Sequence, residues 1–140
     1  MAEPSFVHRL RVRYAECDSQ GVVFHPQYLA FADHALTELY RERLGGYTGM
    51  LERGVDVVVA EATVRFRASA RFDEEVDIAI AIAHLGTTSM TFHDTITRTA
   101  DGATLAELEL RYVWIDRATG TKTPIPEWAR EKLAPAPATA

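Results

Sequence analysis

Hydrophobic and polar residues alternate along several stretches of this chain, a pattern typical of half-buried β-strands. In residues 5–15 the arginines share one parity and Leu10, Val12 and Tyr14 the other, which predicts a first strand with one wet face. Turn-forming residues separate the later strand-like segments, so we expect those segments to pair as an antiparallel meander. These four predicted strands cover residues 55–68, 75–85, 89–99 and 104–116.

One long helix is predicted between the first two strands. Apolar residues recur at helical spacing over residues 26–44, with Pro26 in the place of a first helical residue and two glycines as the stop. The predicted buried stripe contains Leu29, Ala32, Ala35, Leu36 and Leu39, flanked by Tyr28, Phe31 and Tyr40. Residues 47–54 and 127–133 predict short helical segments. Together these elements predict an α+β fold in which a sheet of about five strands wraps around the helix.

Composition and length indicate one folded domain. Hydrophobic residues make up 47% and charged residues 25% of the 140 residues, close to the averages for soluble globular proteins. We expect residues 1–133 to form the domain and residues 134–140, which lack large apolar groups, to form a disordered tail. The net charge of −5 argues against nucleic-acid binding. No apolar run approaches the roughly 18 residues of a membrane span, and the single cysteine fits a reducing, cytoplasmic setting.

The densest polar cluster lies between the first strand and the long helix and includes Asp18 and His25. His25, the predicted N-cap, is a poor capping residue, so we expect free backbone N–H groups there that suit an anion or an oxyanion. A loop can fold the Asp18 carboxylate back towards that helix start, which would give a minimal hydrolytic site. From spacing alone, an ordinary Asx-turn at Asp18 is the alternative.

Residues 14–28 (YAECDSQGVVFHPQY) resemble the opening signature of the hotdog-fold acyl-CoA thioesterases of the 4-hydroxybenzoyl-CoA thioesterase family. They look closest to the short-chain branch associated with the Tol-Pal system. The likeness covers roughly residues 6–126 and includes 52–54 (ERG), 71–74 (RFDE) and 86–89 (GTTS). It implies hydrolysis of a short-chain or aryl acyl-CoA without a cofactor, in homodimers or homotetramers whose active sites lie at subunit interfaces.

The resemblance also implies roles for individual residues. Asp18 matches the catalytic carboxylate, as nucleophile or as general base, and the His25 backbone N–H matches the oxyanion donor. Gly21 matches the small residue of the loop, and Tyr28 belongs to the same motif as a substrate contact. Thr88 and Ser89 match positions from which some relatives contact substrate, with the partner subunit as one source of that contact.

Other residues have competing interpretations. Alternation turns Cys17 away from Asp18 towards core packing, and Glu16 is expected to face solvent. The arginines at 65, 67 and 71 either meet CoA phosphates or form a wet strand face. His84 and His93 could face each other across a strand pair, but no metal-ligand spacing is present. The predicted pocket walls are Phe24, Tyr28, Phe31, Val58 and Met90.

The sequence is also compatible with three alternatives to acyl-CoA hydrolysis. Residues 84–90 contain no Lys or Arg, although some relatives place cations there for the nucleotide, so acyl carrier protein thioesters are one alternative. A hydratase acting on thioesters is another. A non-catalytic acyl-binding module is the third, because a fold does not fix a function.

Overall fold

The computed structural model describes residues 4–134, and most of the predicted C-terminal tail lies outside these residues. The strands are β1 (Phe6–Arg11), β2 (Val55–Phe66), β3 (Glu75–Leu85), β4 (Ser89–Arg98) and β5 (Thr104–Asp116). The helices are α1 (Gln27–Arg43), α2 (Gly46–Glu52) and α3 (Glu127–Leu133), with one 3-10 turn at Tyr14–Glu16. The predicted α+β fold with one long helix and five strands is confirmed.

The five strands form one antiparallel sheet in the order β1-β3-β4-β5-β2. The expected meander is correct for β3, β4 and β5 but wrong for β2, which pairs with β5 at the far edge. Residues 67–74 carry the chain across the end of the sheet, where Arg67 N–H donates to Leu105 O at 2.8 Å and Asp73 N–H to Val12 O at 3.0 Å. The edges of the sheet are therefore β1 and β2.

The hydrophobic core lies between α1 and the inner face of the sheet. Inward residues of one parity on each central strand, such as Ile80, Phe92 and Leu108, are buried against the helix. On α1 the buried residues are Tyr28, Phe31, Ala32, Ala35, Leu36, Leu39 and Tyr40. Leu29, predicted within the buried stripe, is 40% exposed near the helix start.

Two element boundaries near the candidate site differ from the sequence prediction. β1 ends at Arg11 rather than at residue 15, because the chain turns into the 3-10 segment and leaves the Tyr14 side chain exposed. α1 begins at Gln27 with Pro26 as its N-cap, so the prediction of His25 as N-cap is wrong by one residue. Between Pro4 and Ala134 no helix is long and apolar enough to span a membrane.

Candidate active site

Residues 16–24, between β1 and α1, form a small hairpin that we call the Asp18 hairpin. Cys17 and Val23 form an antiparallel bridge, and Phe24 N–H donates to Glu16 O at 2.9 Å. Near the turn, Asp18 N–H donates to Val22 O at 2.9 Å. Gly21, at φ +80°, adopts the left-handed conformation that closes this turn and that side chains disfavour. The hairpin thus carries Asp18 at its turn and delivers the chain directly to His25.

The Asp18 carboxylate takes part in an Asx-turn and still has an unused oxygen. Its Oδ1 accepts the Gln20 backbone N–H at 2.8 Å, so the turn predicted as the alternative interpretation is present. No donor within residues 4–134 bonds to Oδ2, and the residue is only partly buried. One carboxylate oxygen holds the turn, and the other is available to water or to a substrate carbonyl carbon.

His25 supplies a backbone donor at the start of α1. The N–H groups of Gln27 and Tyr28 donate to Phe24 O and His25 O, at 2.8 and 3.3 Å. Pro26 has no N–H, and in the described part of the chain no acceptor bonds to the His25 N–H. Backbone N–H groups at such a position stabilise negative charge on a ligand oxygen. No hydrogen bond joins His25 directly to Asp18 within the described residues.

The hairpin is attached to the segment that follows β2. Val22 forms a bridge with Arg71, and Val23 N–H donates to Ala70 O at 2.9 Å. The Ala70 N–H in turn donates to the buried Tyr28 hydroxyl at 3.1 Å. Burial raises the pKa of Tyr28, which keeps this hydroxyl neutral. Tyr28, predicted as a substrate contact, therefore lies beneath the hairpin with its hydroxyl oxygen already engaged.

Aromatic side chains surround the helix start. The His25 ring packs edge-on against Phe24 at 5.1 Å and Phe66 at 5.9 Å between centroids. Phe66 also meets Tyr28 at 5.8 Å, and its side chain remains 51% exposed. Of the predicted pocket walls, Tyr28, Phe31 and Met90 lie in the core, whereas Phe24 and Val58 are exposed. Sequence reasoning missed Phe66, although it is the last large apolar residue of the strand predicted over residues 55–68.

The burial of Cys17 was predicted correctly from the sequence, whereas the burial of Glu16 was not. Glu16 is buried, so the expectation that it faces solvent is wrong. Cys17 packs partly buried against the core, as expected, and its Sγ lies 3.8 Å from Arg13 O. The physical reason for the burial of Glu16 is local, because its carboxylate folds back onto the Arg13 backbone N–H at 2.7 Å.

Thr88 and Ser89 lie far from the Asp18 hairpin within one chain. They belong to the turn between β3 and β4, where Gly86 N–H donates to Ser89 O and Trp114 N–H to Thr88 O, both at 2.8 Å. The hairpin lies beside the opposite end of β3. The 11 residues of β3 separate the two regions by roughly 30 Å at about 3.3 Å per residue. A single chain therefore does not bring these predicted site residues together.

The three arginines predicted to gather at one end of the sheet have different environments. Arg67 forms an ion pair with Glu107 at 3.4 Å. Arg65 lines a cavity of about 310 Å³ together with Thr63 and Glu109. The Arg71 guanidinium lies beside Gly21, 4.0 Å from where a Cβ would stand, and makes no ion pair within residues 4–134. Arg71 is the cation of this set that borders the Asp18 hairpin.

The histidines of β3 and β4 are not paired as expected. His84 lies opposite Thr91 and His93 opposite Ala81, so the two rings do not face each other and that expectation is wrong. Across the described chain no group of three or more His, Cys, Asp or Glu side chains is arranged to hold a metal ion.

Asp94 is a second acidic residue that sequence reasoning missed. It faces the core from β4 with 2% exposure, and its Oδ1 has no hydrogen-bond partner among residues 4–134. Burial raises its pKa to about 7. The signal was present in the sequence, because Asp94 shares its strand parity with the buried Phe92 and Ile96.

Comparison with known proteins places these features in a family. The model of the thioesterase-like superfamily matches residues 12–133. The acyl-CoA thioester hydrolase YbgC of Escherichia coli is 34% identical over 107 residues, which cover 76% of this chain and 79% of that protein. The solved structure of the hypothetical protein TT1821 from Thermus thermophilus is 34% identical with a TM-score of 0.84, covering 92% of this chain and 97% of that one. The structure of the gentisyl-coenzyme A thioesterase BH1999 is 26% identical with a TM-score of 0.79, covering 89% and 98%. The chain belongs to the thioesterase-like superfamily and has the hotdog fold of its thioesterases.

Proposed function

We propose that this protein hydrolyses acyl-CoA thioesters to free acids and CoA. The Asp18 hairpin carries the proposal, because it holds a carboxylate with an unused oxygen and leads directly to an unused backbone N–H at a helix start. The similarity to the acyl-CoA thioester hydrolase YbgC supports it. A CoA thiolate, with a thiol pKa on the order of 8.5 to 10, leaves without a strong general acid, so these few groups suffice.

Two mechanisms use the same residues. In the first, the Asp18 carboxylate attacks the acyl carbon, the C–S bond breaks, and water then hydrolyses the mixed anhydride. In the second, Asp18 takes a proton from water as the water attacks the acyl carbon. In both, the His25 N–H donates to the oxygen that gains charge. After a single turnover in ¹⁸O-labelled water, label in Asp18 identifies the first mechanism, because it enters the protein only when water attacks the aspartyl carbon of the anhydride.

The proposed substrates are short-chain or aryl acyl-CoAs. Phe24, His25 and Phe66 present aromatic surface beside the candidate oxyanion donor, and Tyr28 supports Phe66 from below. Flat aromatic walls suit a compact or aromatic acyl group better than a long flexible chain. The similarity to BH1999, a gentisyl-coenzyme A thioesterase, supports the aryl alternative.

A cation that sequence reasoning missed supports binding of a substrate phosphate beside the Thr88–Ser89 turn. The turn at residues 86–89 has no Lys or Arg of its own. Arg130, from α3, reaches it and donates to Gly86 O at 2.6 Å. This guanidinium borders the turn that contains Thr88 and Ser89, where it can meet a phosphate of the substrate. We therefore assign Thr88, Ser89 and Arg130 to substrate binding. The similarity to YbgC supports CoA thioesters, and thioesters on an acyl carrier protein are the second candidate.

The proposed assembly is a homodimer, with a tetramer as a pair of such dimers. β2 is a 12-residue edge strand with exposed apolar residues such as Val58 and Val59, which makes it suited to pairing with another strand. When β2 pairs antiparallel with its copy about a two-fold axis, the strands of the partner sheet run in the opposite direction to those of the first sheet. The Thr88–Ser89 turn of the second copy then lies at the same end as Asp18. We place this assembly in the cytoplasm, where acyl-CoA substrates occur and reducing conditions keep the Cys17 thiol free.

Thiol release detected with DTNB tests the proposed function. The substrates are acetyl-, butyryl-, hexanoyl-, palmitoyl-, benzoyl- and 4-hydroxybenzoyl-CoA. We expect hydrolysis of short or aryl substrates, and a fall of about 100-fold or more in Asp18→Asn. Asp73→Asn is the matched control, because Asp73 is exposed and its φ of +70° is one that Asn adopts readily. Release from none of these substrates contradicts the proposed function, and full activity of Asp18→Asn contradicts the assigned carboxylate.

A further inference from the structure

Glu16 is a buried acid in a segment that is otherwise open to solvent. Its side chain is 11% exposed, although its neighbours Tyr14 and Ala15 are exposed. It ends the 3-10 turn and lies two residues before Asp18. Removing a carboxylate from water is costly unless hydrogen bonds compensate, so its partners indicate what the burial achieves.

The Glu16 carboxylate bonds twice to one residue. Oε1 accepts the Arg13 backbone N–H at 2.7 Å, and Oε2 accepts the Arg13 guanidinium at 3.1 Å. The second bond joins opposite charges, and such bonds are stronger than neutral ones. The carboxylate thereby fixes the geometry of the chain where it leaves β1.

The backbone of Glu16 connects this point to the other arm of the hairpin. Its N–H donates to Arg13 O at 3.0 Å, and its carbonyl accepts the Phe24 N–H at 2.9 Å. Phe24 is the residue before His25. Glu16 is thus bonded at one end to the chain that precedes Asp18 and at the other to the residue that leads into the helix start.

We propose that Glu16 is a positioning residue, whose paired carboxylate on Arg13 and carbonyl on Phe24 hold Asp18 and the His25 N–H in their catalytic arrangement. This inference rests on the proposed thioesterase function. A two-stranded hairpin is marginally stable alone and needs attachment to its surroundings. Misplacement of catalytic groups by about 1 Å costs up to 100-fold in rate, so a loosened hairpin lowers turnover without loss of the fold.

Two variants separate the contributions of the two bonds between the Glu16 carboxylate and Arg13. Glu16→Gln keeps an acceptor for the Arg13 N–H and loses the ion pair, whereas Glu16→Ala loses both. With the best acyl-CoA, we expect kcat to fall about tenfold or more in Glu16→Ala and less in Glu16→Gln, with KM within about twofold of wild type. Glu131→Gln, an exposed acid of α3, is the matched control and is expected to keep the wild-type kcat.

Amide hydrogen exchange supplies a readout that does not depend on activity. We expect the Asp18 and Phe24 amides to exchange faster in Glu16→Ala, while amides of β3 and β4 are unchanged. Wild-type kcat in both Glu16 variants overturns the inference and leaves the proposed function standing. If Glu16→Ala fails to fold, a lowered kcat at unchanged KM in Glu16→Gln supports the inference, and an unchanged kcat overturns it. Absence of hydrolysis by the wild-type protein overturns the proposed function instead.

Discussion

Asp18 and Asp94 show how different surroundings give the same type of side chain different properties. Asp18 stands at a partly exposed turn with one carboxylate oxygen unused, which suits contact with water and substrate. Asp94 is enclosed by the core, and no group bonds to its Oδ1 within the described residues. Burial disfavours the ionised form, so the pKa of Asp94 rises to about 7. The first residue fits catalysis, and the second affects stability.

Asp94 is expected to make stability fall as pH rises. An unfolded aspartate has a pKa near 3.9, so between about pH 4 and pH 7 Asp94 binds more protons in the folded protein than in the unfolded chain. The contribution of Asp94 to the free energy of unfolding then decreases over this interval, by up to about 4 kcal/mol for a shift of about three pKa units. Asp94→Asn removes that contribution. Urea unfolding at pH 4.5, 6 and 8 measures it.

The decisive quantity is the difference in stability between Asp94→Asn and wild type at each pH. We expect this difference to move in favour of the variant from pH 4.5 to pH 8. The slope of the free energy of unfolding against pH is compared between the two proteins. This comparison cancels the cost of burying the asparagine amide, which is the same at every pH. Parallel pH profiles for the two proteins would show that Asp94 titrates normally. Asp33→Asn, an exposed acid on α1, serves as control.

Tyr28 is expected to matter for stability more than for substrate binding. Tyr28→Phe leaves the Ala70 N–H without its acceptor, and an unsatisfied buried donor costs about 1–3 kcal/mol. The ring that supports Phe66 is retained, so KM for acyl-CoA should stay within about twofold of wild type. Thermal unfolding and steady-state kinetics of the variant measure both effects. A several-fold rise in KM would instead show that the hydroxyl contacts the substrate.

The sequence predicted the candidate site where the signal is local. Asp18, Gly21 and His25 lie within eight residues, on the Asp18 hairpin and directly after it, so their spacing indicated a candidate site and the family resemblance indicated their roles. The burial of Glu16 depends on how its side chain folds onto Arg13. The proximity of Arg130 to the residue 86–89 turn depends on where α3 packs. Neither the burial of Glu16 nor the position of Arg130 can be predicted from a local sequence pattern.

At the scale of elements, strand positions were predictable and strand neighbours were not. Alternation placed β3 and β5 at their observed ends and β2 within two residues. It could not show that β2 crosses the sheet end to pair with β5, because pairing depends on contacts distant in sequence. That difference has a functional consequence. As an edge strand, β2 is open to a second copy, whereas a β2 within the meander would be closed on both sides.

Val59→Lys tests whether β2 forms the dimer interface. Val59 is 58% exposed on this edge strand, and a lysine in a strand-pairing interface opposes association by burying charge. We expect the variant to shift from dimer to monomer in light scattering and to lose most thioesterase activity. Val7→Lys is the matched control, because Val7 is 57% exposed on the opposite edge strand β1. A Val59→Lys protein that remains dimeric would exclude β2 as the interface.

At the scale of the whole molecule, the proposed function assigns both Asp18 and the Thr88–Ser89 turn to one site, and the distance between them then predicts that a complete site needs two chains. β3 separates these regions by roughly 30 Å in one chain, and two-fold pairing is the simplest arrangement that brings them together. Such a site draws its carboxylate from one copy and its turn from the other. Defects in the two regions should therefore complement each other in a mixed dimer.

Mixing two variants, each expected to be defective in one of the two regions, tests this arrangement directly. Asp18→Asn lacks the carboxylate, and the double variant Thr88→Ala, Ser89→Ala lacks the hydroxyls of the turn. In a mixed dimer one of the two sites contains the native carboxylate and the native turn. After co-refolding at equal amounts, half of the dimers are mixed, so we expect about a quarter of wild-type activity to return. Each variant refolded with itself is the control. If the mixture is no more active than these controls, Asp18 of one copy and the Thr88–Ser89 turn of the other do not form a shared site. The turn then has a role within its own chain.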